Sequence, residues 1–258
     1  MQTAGWKRPV LALVLFGCAF GYVEAAVVSY LRYLHEPILH RFYPARSIND
    51  LFPLLTAQQA AQSGPRERKV LITEVGREAS TIVMLAGIAL AVSKNPGQWA
   101  AAFAIAFGVW DSTFYLFLKI LLDWPASLAT WDILFIIPVP WVAPVIAPVL
   151  VSAAMVVSGI WHLRREAAGR PANLGLRNWA GLFAGAFIII VSFTLDRTNV
   201  SAGGMPRPFH WAVFGLGMLI GLSAYAEAAL RSRPDYFAAA ASSPHASGSS
   251  PESLRNSL

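Results

Sequence analysis

The sequence predicts an all-α, polytopic membrane helix bundle with about six transmembrane helices, the fourth of them broken by proline. Three observations predict it. Six apolar stretches, each long enough or nearly so to cross a bilayer, recur along the 258 residues. Only 13% of the chain is charged, against the ~25% of an average soluble domain, which is too little to solvate a globular surface of this size. Nine Trp and fifteen Phe supply the interfacial aromatics that bilayer proteins carry. The mean hydropathy of +0.52 agrees.

The first span is expected over residues 10–31, behind Lys7 and Arg8. A basic start and an apolar run also fit a signal peptide, and LFGC ending at Cys18 resembles a cleavage box. Phe16 is too bulky for that position, and the apolar run continues past Cys18, so an uncleaved helix is the preferred reading. Residues 32–71 form a long polar connector, within which 51–62 reads as a short amphipathic helix on the membrane surface. The second span, 70–92, stops at a turn around Pro96 and Gly97, and the third runs over 98–122. Asp123 and Pro125 could open a brief interfacial helix in the connector 123–132.

The fourth span is expected over 133–163. Its first half holds Pro138, Pro140, Pro144 and Pro148. Each removes a backbone donor and clashes with the preceding turn, so this half is expected to be kinked or partly unwound and covered by protein. The fifth span, 179–195, carries Gly181 and Gly185, and the sixth, 209–230, carries Gly217 and Gly221. This small-xxx-small spacing lets helix backbones approach closely. Residues 1–237 thus read as one transmembrane domain. The Ala/Ser/Pro/Gly-rich tail 238–258 reads as disordered. No internal repeat is visible.

Alternation of spans puts both termini on one side, with Lys7, Arg8, Lys94, Arg164, Arg165, Arg170, Arg177, Arg231 and Arg233. That asymmetry predicts cytoplasmic termini, in what reads as a bacterial inner membrane. The basic residues of the 32–71 connector oppose this assignment.

Five of the spans carry an ionisable residue within or at one rim, and all of these fall in the leaflet facing the 32–71 connector. A carboxylate at depth costs ~2.5–3.5 kcal/mol even on the lenient insertion scale, so these groups imply a role. Glu24 and Asp111 are the deep acid–base candidates. Glu74 and Glu78 share a helix face with Arg77 between them. With Asp196, Arg197 and His210 they form the candidate substrate-binding set. Asp132 sits at the same rim.

The usual chemical signatures are absent: no G-x-S-x-G, no H-E-x-x-H, no P-loop and no dinucleotide fingerprint. The E-x-x-H pattern of di-metal bundles is missing too, so no metal ligand is assigned, and no motif identifies a cofactor. One cysteine excludes an intrachain disulfide. The net charge of +6 has no aromatic-interleaved basic face, so it predicts contact with anionic membrane lipids and not with nucleic acid. Three functions remain. A membrane-embedded enzyme on a lipid or isoprenoid-like substrate is preferred. A small proton-coupled transporter and a non-catalytic membrane subunit are the alternatives.

Overall fold

The computed structural model describes residues 5–45 and 55–231. The predicted tail and residues 51–54 of the predicted surface helix lie outside them. The elements are α1 (Lys7–Phe42), α2 (Ala57–Ser63), α3 (Pro65–Val92), α4 (Pro96–Leu122), β1 (Trp131–Phe135), β2 (Trp141–Pro144), α5 (Ile146–Ala167), α6 (Leu176–Thr194), α7 (Arg197–Ser201) and α8 (Trp211–Leu230). Among the described residues, six helices are long and apolar enough to span a membrane: α1, α3, α4, α5, α6 and α8. The all-α bundle is therefore observed. Lys7, Val92, Pro96, Ala167, Leu176 and Leu230 mark its terminal end. The opposite, loop end carries the long connector and the two strands.

Local chemistry sets the helix limits. Asn95 caps α4 by accepting from the Gln98 backbone N–H at 2.8 Å, and Pro96 follows at a position that needs no donor. Asp123, at φ 52°, ends the same helix in the left-handed region. Thr56 and Gln59 cap α2 reciprocally. Helix α1 is longer than expected. Its 36 residues make about 54 Å of helix, well beyond a ~30 Å hydrocarbon layer. The extension takes in the start of the polar connector, where Leu39 is buried and His35 meets Glu67 of α3 at 3.2 Å.

Two expectations around the fourth span are corrected. The brief helix after Asp123 does not form; residues 124–130 are irregular chain, bends and a turn. The proline-rich half is not a distorted helix. It is an antiparallel hairpin with Trp131 opposite Pro144, Asp132 opposite Ala143, Ile133 opposite Val142 and Phe135 opposite Trp141, bulged between Ile133 and Phe135. Proline drives its predecessor away from the α region, and the β-branched and aromatic residues here favour extended chain. Pro138 and Pro140 fall in the connecting loop, while Pro148 sits in the first turn of α5 and is tolerated there.

Helix α4 is the centre, touching α1, α3 and α5. Its approach to α5 depends on Gly108, where a Cβ would lie 2.5 Å from the Ser152 carbonyl oxygen. Helices α6 and α8 form a separate pair, closed by Gly185 against the Gly217 backbone. The hairpin bridges the two groups at the loop end. Phe135 meets Trp110 of α4 at 6.3 Å between ring centres, and Trp141 meets Phe193 of α6 at the same distance.

Candidate functional site

Measured along its own helix at 1.5 Å per residue, each of Glu24, Glu78, Asp111 and Ser152 lies about 21–26 Å from the terminal end. Four helices therefore deliver polar groups to one level. Arg77 lies between two of them. Its Nη2 and Nε donate to Glu74 at 2.5 and 2.9 Å, and its Nη1 donates to Glu24 of α1. Thr81 adds a longer bond to Glu24 at 3.4 Å. Glu78 accepts the Ile136 backbone N–H from the hairpin at 3.0 and 3.1 Å. Asp111 accepts from Ser152 Oγ of α5 at 2.8 Å, and Asp132 accepts from the Tyr115 hydroxyl of α4 at 3.0 Å.

These groups surround one cavity of about 90 Å³, room for a few waters or the polar end of a larger molecule. Five carboxyl groups line it (Glu24, Glu74, Glu78, Asp111, Asp132) with two arginines, Arg32 and Arg77. A surplus of acid in a low dielectric is offset by bound protons or by a cation, which is the condition for acid–base chemistry. Trp110, only 4% exposed, also lines the cavity, and its Nε1–H has no hydrogen-bond partner. A buried free donor beside carboxylates suits a water or substrate oxygen placed between them. Toward the terminal end the next layer is apolar, with Leu13, Leu85 and Ile105 fully buried.

Asp132 lies on the hairpin, outside the spanning helices. Burial pushes its carboxyl up to about 6, although Arg32 and the Tyr115 hydroxyl draw it down. A folded-state value raised above the unfolded one means that protonation favours the fold and that this help is lost as pH rises through about 6. Asp132→Asn keeps an acceptor for Tyr115 and removes the titration. The variant should therefore gain on the wild type between pH 4 and 7.5, by an amount on the order of 1–3 kcal/mol. Thermal unfolding of both proteins across that range checks this; a constant difference would refute it.

The structure brings together five of the eight predicted residues: Glu24, Glu74, Arg77, Glu78 and Asp111. The other three lie elsewhere at the loop end. Asp196 accepts from the Arg207 backbone N–H at 2.8 Å and from Asn199 at 3.0 Å, Arg197 reaches the Thr194 carbonyl at 3.3 Å, and His210 is exposed ahead of α8. Asp196 and Arg197 brace the α6–α8 connection. The cavity also recruits residues that the sequence reading had not assigned, namely Arg32, Trp110 and Tyr115, with Ser152 behind Asp111. Among the described residues no group of His, Cys, Asp and Glu has an arrangement that would hold a metal.

The fold defines the class: this is a multi-pass membrane protein. No protein family matches the chain, and no curated protein or solved structure is significantly similar to it.

Proposed function

We propose that the protein is a membrane-embedded enzyme that carries out proton transfer on the polar end of a lipid or isoprenoid-like molecule, reached from the leaflet facing the 32–71 connector. One observation carries this reading: carboxyls from three helices and a hairpin share a cavity with two arginines, and that cavity stops at an apolar layer. A carrier needs a polar route beyond Asp111, and Leu13, Leu85 and Ile105 occupy that position. In this reading Glu24 and Asp111 exchange protons, Arg77 with Glu74 and Glu78 holds the polar group, and Trp110 donates to its oxygen. Asp196, Arg197 and His210 stand outside it. The arginine distribution supports cytoplasmic termini in a bacterial inner membrane, with the site opening on the far side. A non-catalytic subunit is the second reading, favoured by the hydrogen-bond partner that each cavity carboxyl already has.

The test is a lipid analysis. Membranes from cells producing the wild type, Glu24→Gln or Asp111→Asn at equal levels are extracted and compared by mass spectrometry. Loss of a general acid or base costs about 10²–10⁴ in rate. A lipid or isoprenoid species should therefore accumulate in both variants while its product falls. Identical profiles in all three membranes would rule out the enzyme and leave the subunit.

A further inference from the structure

A second and larger cleft, of about 220 Å³, lies between the α4–α5 and α6–α8 pairs and runs from the terminal end, at His162, Trp179 and Tyr225, to Val151. It shares no lining residue with the carboxyl cavity. Its walls are built from small side chains, among them Ala100, Ala104, Ala154, Gly159, Ala186 and Gly221. Such residues ordinarily let helices close on one another. Here the two pairs are held apart at both ends. Toward the loop end, Phe193 of α6 packs with Ala147 of α5 and, in tilted geometry, against Trp141 of the hairpin at 6.3 Å. Toward the terminal end, the Tyr225 hydroxyl donates to the Ser158 carbonyl at 3.1 Å and Arg165 Nη2 donates to the Ala229 carbonyl at 2.9 Å. From Val151 to His162 the slot runs about 16 Å along α5. Over that length the two walls find no dispersion partner in the protein itself. Within a hydrocarbon layer, the molecules slender and apolar enough to supply one are lipid chains.

The mouth of the slot selects the head group. Arg165 stands one turn beyond the lining residue His162, and Arg177 lies two residues before the lining residue Trp179. Arg164, Arg170 and Arg231 belong to the same end. Among the described residues of α5, α6, α8 and the α5–α6 connector, the acids are Glu166 and Glu227. Glu166 accepts from Asn95 and Gln98 at 2.7 and 2.9 Å through Oε1 and turns its buried Oε2 toward His162, 3.7 Å away, while Glu227 pairs with Arg231 at 2.5 Å. The Arg177 guanidinium is 81% exposed and only 3.9 Å from Glu227, a loose pairing. Arg165 keeps a buried Nε–H with no acceptor. Positive charge with spare donors, set over an apolar slot, complements a phosphodiester with an acyl tail.

We propose that this cleft is a binding site for one acyl chain of an anionic glycerophospholipid from the terminal-side leaflet, with its phosphate on Arg165 and Arg177. The assignment does not depend on the reaction proposed for the carboxyl cavity, and it concerns the opposite leaflet. The test is native mass spectrometry of the delipidated, detergent-purified protein titrated with phosphatidylglycerol or phosphatidylcholine of identical chains. The first phosphatidylglycerol should bind about tenfold or more tighter than phosphatidylcholine, since each surface arginine attracts an anionic lipid by roughly 1 kcal/mol. Arg165→Gln with Arg177→Gln should remove that preference by weakening phosphatidylglycerol much more than phosphatidylcholine, whose phosphate charge is already offset by its own choline. Ala154→Phe, which fills the slot, should weaken both lipids. Arg207→Gln, an exposed arginine at the opposite end of the bundle, should alter neither. Equal affinity for the two lipids in the wild type overturns the proposal, as does a preference that survives loss of both arginines. If Ala154→Phe does not fold, the arginine pair decides alone.

Discussion

Arg77→Met should be the most damaging single substitution in the bundle, lowering stability by about 3–5 kcal/mol. The guanidinium joins Glu24 of α1 to Glu74 of its own helix, and its removal leaves two carboxylates without their cation inside the protein. Hydration cannot replace it, because the Glu24 side chain is only 8% exposed. The loss should be largely reversed by adding Glu24→Gln and Glu74→Gln, since the damage comes from unpaired charge and not from missing volume. Thermal unfolding in detergent, followed by circular dichroism, measures all of these proteins. A single variant as stable as the wild type would mean that the cluster is solvated like a surface ion pair. A triple variant no better than the single one would mean that Arg77 acts by filling space.

Gly108→Ala should also destabilise, by less, and should have the opposite sign to the usual rule. In a helix interior, alanine is ordinarily better than glycine by about 0.8–1.0 kcal/mol. At Gly108 the new methyl would lie 2.5 Å from the Ser152 carbonyl oxygen and 2.7 Å from Val156 Cγ2. Backbone cannot yield as a side chain can, so α4 and α5 must separate, at a cost of about 1–3 kcal/mol or more. The same separation stretches the 2.8 Å bond from Ser152 to Asp111. Gly76 and Gly87 of α3 are the controls, because a methyl at either meets nothing within 4 Å. Gly76→Ala and Gly87→Ala should stabilise or leave unfolding unchanged. If Gly108→Ala behaves like them, the close approach of α4 and α5 is wrong.

The spans were legible because an uninterrupted apolar run of membrane length admits few other structures. Alternation of those spans then fixed which leaflet holds Glu24, Asp111 and the Glu74–Glu78 turn, and these groups do meet. Depth along a helix says nothing about rotation around it. For that reason Asp196, Arg197 and His210 were grouped with the others at the same rim, although their own pair of helices carries them away from the cavity. Ser152, Trp110 and Arg32 were invisible for the same reason, since only the azimuth of α5, α4 and α1 turns them toward the carboxyls. The hairpin was missed through its composition. A run such as ILFIIPVPWVAP is apolar throughout, so neither the helical nor the strand period can be read from it, and proline spacing alone suggested a bent helix.

That hairpin has a mechanical consequence. One face of the ribbon touches the acids, with Asp132 on Tyr115 and the Ile136 amide on Glu78, while its other strand leans on Phe193 of α6. At the loop end, tilting α6 and α8 against the remaining helices loads this strap together with the contact of Phe193 and Phe214 on Ala147 of α5. Strain carried by the strap reaches Asp132 and Glu78, the two carboxyls bonded through it.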